Sequence, residues 1–496
     1  MVLSRNRLIL CMTILCLAME VTTELLADDR PNILMIVSED NGPELGCYGQ
    51  PHVQTPILDR LANRGVRFEH AYVPQAGCSQ SRAAFLTGLY PHQNGQIGLA
   101  TWKFRMYRAE TPNVVRSLKQ AGYRTGLIGK LHVNPESAFP FDMHKIPSSN
   151  FNRKTLGEYA RHAETFMRES DRPFFLSVNY PDAHRPFIKQ INGMPGRPLT
   201  ADDVTSIDYF GLDTPQLRQE TADYLNCMSR LDQMIGDLLA VLDRSGKADH
   251  TMIVYFGDHG ADLLRGKRTS YEGGVRVPMI IHWPGVAKPA QVRTELVSTL
   301  DLFPTFLEVA RAQEIANLPG RSLTPLLRDR PTEWRRYLFT EFHMHSAHNF
   351  YPQRTVRDER FKLIHNLMPD RTNPGYDFTI NRFFADLPLA IEAAPDHIRE
   401  AYHRMKTPPE FELYDLHTDP HEFRNLADNQ EHAETLTELK EELARWRDRT
   451  NDPLRSPDHL KRLKAEVDAC FIDGSPNKNR LDLTYPDYFF METPDR

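Results

Sequence analysis

Asn32-Ile33-Leu34-Met35-Ile36-Val37-Ser38-Glu39-Asp40 is an unbroken apolar run that stops on two adjacent acids. A strand apolar on both faces belongs inside a sheet covered on both sides, as parallel sheets are. Thr55 to Ala62 then places apolar residues at helical spacing until Gly65 stops it, which makes a strand–helix start. The pattern recurs. Thr111 as cap and Pro112 as first helical residue predict a helix ending at Gly122, followed by a strand over Tyr123 to Ile128. Phe174 to Asn179 and Thr251 to Phe256 read as further strands, with a long amphipathic helix from Thr214 to Arg244 between them, closed by Gly246. Buried strands alternating with helices predict an α/β fold: a large, mostly parallel or mixed sheet sandwiched by helices. Past about residue 335 the pieces are shorter, namely Phe361 to His365, Phe411 to Leu416 and a charged helix from His432 to Trp446. They predict a smaller C-terminal α+β domain, giving units 28–335 and 336–496, with the polar tail from Asn451 onward wrapping the surface or partly loose.

The chain has 496 residues, a quarter of them charged, and a formal net charge of −6, without the basic field that nucleic-acid binders carry. Arg5 and Arg7 precede the apolar run Leu8 to Met19, and small or polar residues surround Ala27. Residues 1–27 therefore read as a secretory signal, too short in its apolar part to span a bilayer. The expectation is an exported protein (periplasmic, secreted or in a lysosome-like compartment) with no stable membrane insertion after cleavage. Beyond the signal only Cys47, Cys78, Cys227 and Cys470 remain, with no C-x-x-C pair and no disulfide scaffold.

Open α/β sheets bind ligands at the carboxyl ends of their strands. Four predicted strand ends carry reactive groups: Glu39-Asp40, Lys130 with His132, His184, and Asp258-His259. Each acid alone reads as readily as a helix cap. Acids recurring at several ends of one sheet would repel one another unless a cation lay between them, which points to a hard divalent metal. Gly77-Cys78-Ser79-Gln80-Ser81-Arg82 is a turn entering a short helix, so Cys78 sits at a helix N-terminus where an anion is favoured, and Arg82 shares its face. A buried structural cysteine beside an arginine is the plainer alternative.

The run from Cys78 through Ser81-Arg82 into Ala83, Leu86-Thr87-Gly88 and His92 resembles the signature of the formylglycine-dependent sulfatases. The resemblance continues in order through Arg30 to Leu34, Thr55 to Ala62, Gly126 to His132, Tyr271 to Pro278 and Leu413 to Pro420. It implies a catalytic formylglycine (3-oxoalanine) made from Cys78 by a formylglycine-generating maturation enzyme, whose hydrate attacks sulfur. It implies a divalent cation, usually calcium, on Glu39, Asp40, Asp258 and His259 together with residue 78. Arg82, Lys130 and Lys267 would neutralise the sulfate oxygens, His132 would hold or deprotonate the nucleophile, and His184 would serve the leaving group. Three positions depart from the family's commonest residues: Gln80 stands where proline is usual, Glu39 where aspartate is, and His259 where asparagine is.

Three stretches resemble the sulfamidase branch, which acts on N-sulfoglucosamine of heparan-type chains: His92 to Leu99, Gly129 to Asp142, and Tyr351 to Leu367. A sulfated glycan is the substrate this implies. The run Glu341, His343, His345 and His348 reads as substrate contact, as a second metal site, or as a solvated loop. Arg354 suits a sugar carboxylate or sulfate. Three competing functions stand beside a sulfamidase. They are an O-sulfatase on another sulfated polysaccharide, a phosphate or phosphonate hydrolase on the same scaffold, and a noncatalytic glycan binder if Gln80 prevents conversion of Cys78.

Overall fold

The computed structural model describes residues 29–490 except 370, 384 and 385. The signal assigned to residues 1–27 lies outside them. Among the described residues the large sheet has nine strands: β1 (Asn32–Ser38), β2 (Val66–Tyr72), β3 (Arg124–Gly129), β4 (Met143–Lys145), β5 (Phe174–Tyr180), β6 (Thr251–Gly257), β7 (Arg276–His282), β8 (Gln291–Arg293) and β9 (Val297–Ser298). They lie in the order β4-β3-β5-β1-β6-β7-β2-β8, with β9 beside β2. Pairings from β4 to β6 are parallel, and β7 runs antiparallel to both β6 and β2. Two reversals restore direction, so β2 ends at the same edge of the sheet as β1, β3, β5 and β6. The apolar run of β1 is buried along its whole length, with one apolar cluster on each face of the sheet. That is the covered sheet its sequence predicts.

On one face lies the 30-residue helix α5 (Pro215–Arg244), whose Thr214 Oγ accepts the Leu217 N–H and whose Pro215 is pre-set for the first turn. α1 (Pro56–Arg64), α2 (Cys78–Thr87), α3 (Val114–Gln120) and α4 (Glu158–Arg168) follow their strands or precede the next. The cap of α3 is Asn113 and not Thr111: the Asn113 carboxamide accepts from Arg116 N and donates to Thr111 O and Ala138 O. An amide both accepts and donates, so it satisfies the helix end and the neighbouring loop together, and the helix starts later than its proline suggests.

A second sheet, fully antiparallel, is formed by β10 (Leu338–Phe342), β11 (Gln353–Arg357), β12 (Phe361–Asn366) and β13 (Phe411–Asp415). α6 (Ala433–Arg449) packs on it through Leu439, Leu443 and Trp446. The segment after Asn451 is more ordered than its polarity suggests. Leu454, Leu463, Val467, Leu481, Tyr485 and Phe489 bury themselves with Ile97, Phe104 and Met344. Its apolar residues are too far apart to form a readable period, yet they converge on one cluster. All four cysteines described are free thiols. Among the described residues no helix is long and apolar enough to cross a membrane.

Candidate active site

Five strand ends deliver the site. Asp40 follows β1 with a left-handed φ of 51°, and its N–H donates to Asp258 Oδ1 at 2.9 Å. Asp258 follows β6, fixed by its own N–H to Ser38 O. Gly129 ends β3 at φ 100°, where a Cβ would lie 2.2 Å from Asn179 O, so the turn that presents Lys130 requires glycine. The loop after β2 carries Gly77 and then Cys78, the first residue of α2.

Asp40, Cys78, Asp258 and His259 are buried and offer one ligand atom each within 4.8 Å of one another. Cys78 Sγ lies 3.4 Å from His259 Nε2 and 4.0 Å from Asp40 Oδ1. His259 Nε2 is 3.3 Å from Asp40 Oδ1 and 3.6 Å from Asp258 Oδ1, while its Nδ1 bonds Gly260 O at 2.9 Å. Only an N–H can bond a carbonyl, so Nδ1 carries hydrogen and Nε2 is turned toward the acids. Burial opposes its protonation, but Asp258 and Asp40 overcome this and raise His259 to about 9. Two carboxylates, an imidazole nitrogen and residue 78 converging without solvent fit a divalent cation, whose charge would take over the role the imidazolium proton otherwise fills.

Glu39 stands apart from that quartet. Its Oε2 accepts from Lys130 Nζ at 2.7 Å, while its buried Oε1 has no hydrogen-bond partner and lies 3.8 Å from Arg82. An orphaned buried carboxylate oxygen beside the cluster is a further donor suited to a cation. Lys267 Nζ bridges both Asp40 oxygens at 3.0 and 2.9 Å. Arg82 bonds Asp258 Oδ2 through Nε at 3.1 Å, and Lys130 O and Asn179 Oδ1 at 2.8 Å each. The three carboxylates thus balance Arg82, Lys130 and Lys267, so a dication would leave the site electropositive and receptive to an anion. Burial alone would raise the Cys78 thiol, but Lys130, Lys267 and His259 hold it well below the usual thiol range.

His132, at φ 59°, and His345 both face the Cys78 thiol. Neither nitrogen of His132, nor Nε2 of His345, has a formed hydrogen bond. Burial, then Lys130, lowers His132, and burial drives His345 down to about 3. His184 is one ring removed: it stacks on Phe151 at 4.0 Å, and Lys130 Nζ is 5.4 Å from that same ring.

Glu341 and Arg354 are not presented to this cluster. Both are fully buried. Glu341 accepts from His92 N at 2.8 Å and pairs with His92 Nδ1 at 2.5 Å. Arg354 clasps Asp452 through two bonds of 2.9 and 2.7 Å and meets His343 Nε2 at 3.1 Å. Glu341 is spent on joining β10 to His92, and Arg354 on joining β11 to the chain after α6. Residues given no site role by the sequence reading complete the frame. Asn179 holds Arg82, the Asp262–Arg268 pair adjoins Lys267, and Gln75 and Gln80 both donate to Met344 O, at 2.9 and 2.6 Å, beside His345. Asn179 is the penultimate residue of a buried strand, a polar signal of the same kind as Asp258. Gln75 carries no such signal, and Gln80 stands out only as a departure from the family's usual proline.

A sulfatase family model matches residues 31–312, more than half of the chain. The chain belongs to the sulfatase family. A second model, N-sulphoglucosamine sulphohydrolase, C-terminal, matches residues 257–379 of this sulfatase. Human N-sulphoglucosamine sulphohydrolase is 33% identical over 86% of this chain and 91% of its own. An ulvan-active sulfatase from Formosa agariphila is 27% identical over 94% and 91%. A solved structure in complex with its substrate D-glucosamine-2-N,6-O-disulfate covers 85% of this chain and 98% of its own with a TM-score of 0.63. At 22% identity that likeness establishes the fold. The family places this enzyme among the sulfatases.

Proposed function

We propose that this sulfatase hydrolyses sulfate from glucosamine residues of heparan-type glycans, the N-sulfate foremost, with a formylglycine made from Cys78 and a divalent cation, calcium. The observation that carries this reading is the meeting of Cys78 with Asp40, Asp258 and His259 in one buried cluster ringed by Arg82, Lys130 and Lys267. The human relative and the C-terminal family match support the choice of sugar. Bound there by Asp40, Asp258, His259 and the free oxygen of Glu39, the cation and the aldehyde would supply an activated hydroxyl and the positive field that seats a sulfate.

Position supports a role for each of the remaining residues. Lys130 and Lys267 place ammonium groups beside residue 78, where sulfate oxygens collect negative charge. Arg82 is a clamp: its bonds to Asp258, Asn179 and the Lys130 carbonyl hold three strand ends in register. His132 takes or holds a proton at residue 78, and His184 delivers one to the departing nitrogen or oxygen. His345 adds a substrate-facing group beside residue 78. Export through the signal at 1–27, and a division into a catalytic unit 28–335 and a C-terminal unit 336–496, complete the proposal. The maturation enzyme is the one protein partner it requires.

The test is sulfate release by protein co-produced with the maturation enzyme, from glucosamine N-sulfate and from glucosamine 6-O-sulfate. Faster release from the N-sulfate is expected. Release from the O-sulfate alone would move the assignment to an O-sulfatase, the reading favoured by the ulvan-active relative. Release from neither contradicts the glucosamine reading.

A further inference from the structure

Beside the sulfate-binding groups lies a strip of aromatic rings that none of the chemistry above uses. Ala100 N donates to Ser79 Oγ at 2.9 Å, and Leu99 N donates to His345 O at 2.9 Å. These two bonds pin the 99–102 turn between the residue that follows Cys78 and the histidine that faces it. Trp102, at the end of that turn, meets His348 edge to face with ring centroids 5.1 Å apart. His348 lies 5.2 Å from Phe378, and the Arg268 guanidinium stands 5.5 Å over the Phe378 ring. Arg268 is fixed by Asp262 and adjoins Lys267. The strip therefore runs from the cationic cluster outward, and Trp102, His348 and Phe378 are all only half-buried. Single exposed rings are ordinary, whereas three in contact beside a polar site mark a surface shaped for a partly apolar ligand.

We propose that Trp102, with His348 and Phe378, forms the sugar-facing wall of the site, packing against the C–H face of the pyranose ring that bears the sulfate. This rests on the glycan reading above and deepens it. The cations recognise the sulfate wherever it is attached, while the wall recognises the ring. A pyranose offers an apolar face with hydroxyls at its edge, which suits flat rings flanked by a guanidinium. Trp102 is thereby a specificity residue and has no part in bond cleavage.

Calorimetric titration of the full-length, calcium-loaded protein, left unconverted at Cys78 so that the sugar is not turned over, tests this with two probes. One is glucosamine N-sulfate and the other inorganic sulfate, which carries the charge without the ring. Trp102→Ala is expected to weaken the sugar about tenfold, the scale of one lost aromatic contact, and to leave inorganic sulfate unchanged. Trp102→Phe should recover most of the loss. Unchanged sugar binding in Trp102→Ala overturns the wall and leaves the glycan reading standing, and equal loss of both probes also overturns it. Wild-type protein that binds inorganic sulfate but no sugar overturns both readings. Phe378→Ala, on a separate helix, repeats the comparison should Trp102→Ala fail to fold.

Discussion

Arg82 shows how much one side chain carries at this site. Its guanidinium is buried, and its bonds reach Asp258, Asn179 and the Lys130 carbonyl at once. A lysine carries its three donors on a single nitrogen and has no planar fork, so Arg82→Lys cannot reproduce the spread of bonds from Nε and Nη1 to all three partners. Breaking a buried pair costs about 3–5 kcal/mol. Arg82→Lys should therefore lower both the unfolding midpoint and kcat/KM, the latter at least about 100-fold by that scale, as calorimetry and sulfate release will show. Asp40→Asn keeps the shape but removes one of the charges that would face the proposed cation. Its activity should need at least about tenfold more calcium than wild type, and chelation should silence both proteins. Cys78, Lys130 and Asp258 were readable in the chain because each sits just after an apolar run or in a family signature. Gln80 was readable only as a departure. Its bond to Met344 O joins positions 264 residues apart, a distance no local pattern reports.

The second sheet is built around charge. Glu341 and His343 lie in the histidine-rich run read as substrate contact, metal site or solvated loop, and Arg354 was expected to meet a sugar carboxylate or sulfate, yet β10 and β11 bury all three with Asp452 in a paired network. Arg354→Ala should then act on folding and not on substrate affinity, with a loss of about 3–5 kcal/mol in denaturant unfolding and a KM close to wild type in the protein that remains folded. The same network sets an acid limit. Burial, then Arg354, pushes His343 down to about 3, while burial opposes but His92 and Arg354 dominate at Glu341, which falls to about 2. In the unfolded chain His343 takes a proton near 6.5, before the folded protein does, so its contribution is complete above pH 6.5 and is lost as pH falls toward 3. Glu341 adds to the loss below about 4.5 by the same linkage. The unfolding temperature should decline from pH 6.5 toward 4, and His343→Gln should flatten that slope.

Over the whole molecule, the periodicities that define helices and buried strands fixed the α/β architecture, because β1, β5 and β6 are apolar along almost their full length. The antiparallel insertion of β7 and the packing of residues 451–490 depend on which faces meet, and a linear pattern does not encode that. Tyr485 illustrates the point: its hydroxyl donates to Gly95 O or Arg105 O, at 2.9 and 2.7 Å, nearly the whole chain away. Leu463→Ala, in the cluster that anchors this segment, should cost about 2–5 kcal/mol in denaturant unfolding, a loss that a loose tail would not show. The central claim, a sulfatase whose nucleophile is made from Cys78, is tested most directly by tandem mass spectrometry. The tryptic peptide 68–82 would be sequenced from protein co-produced with the maturation enzyme. The account predicts formylglycine, or its hydrate, at residue 78 despite Gln80. A peptide carrying only the intact thiol at residue 78 would contradict it.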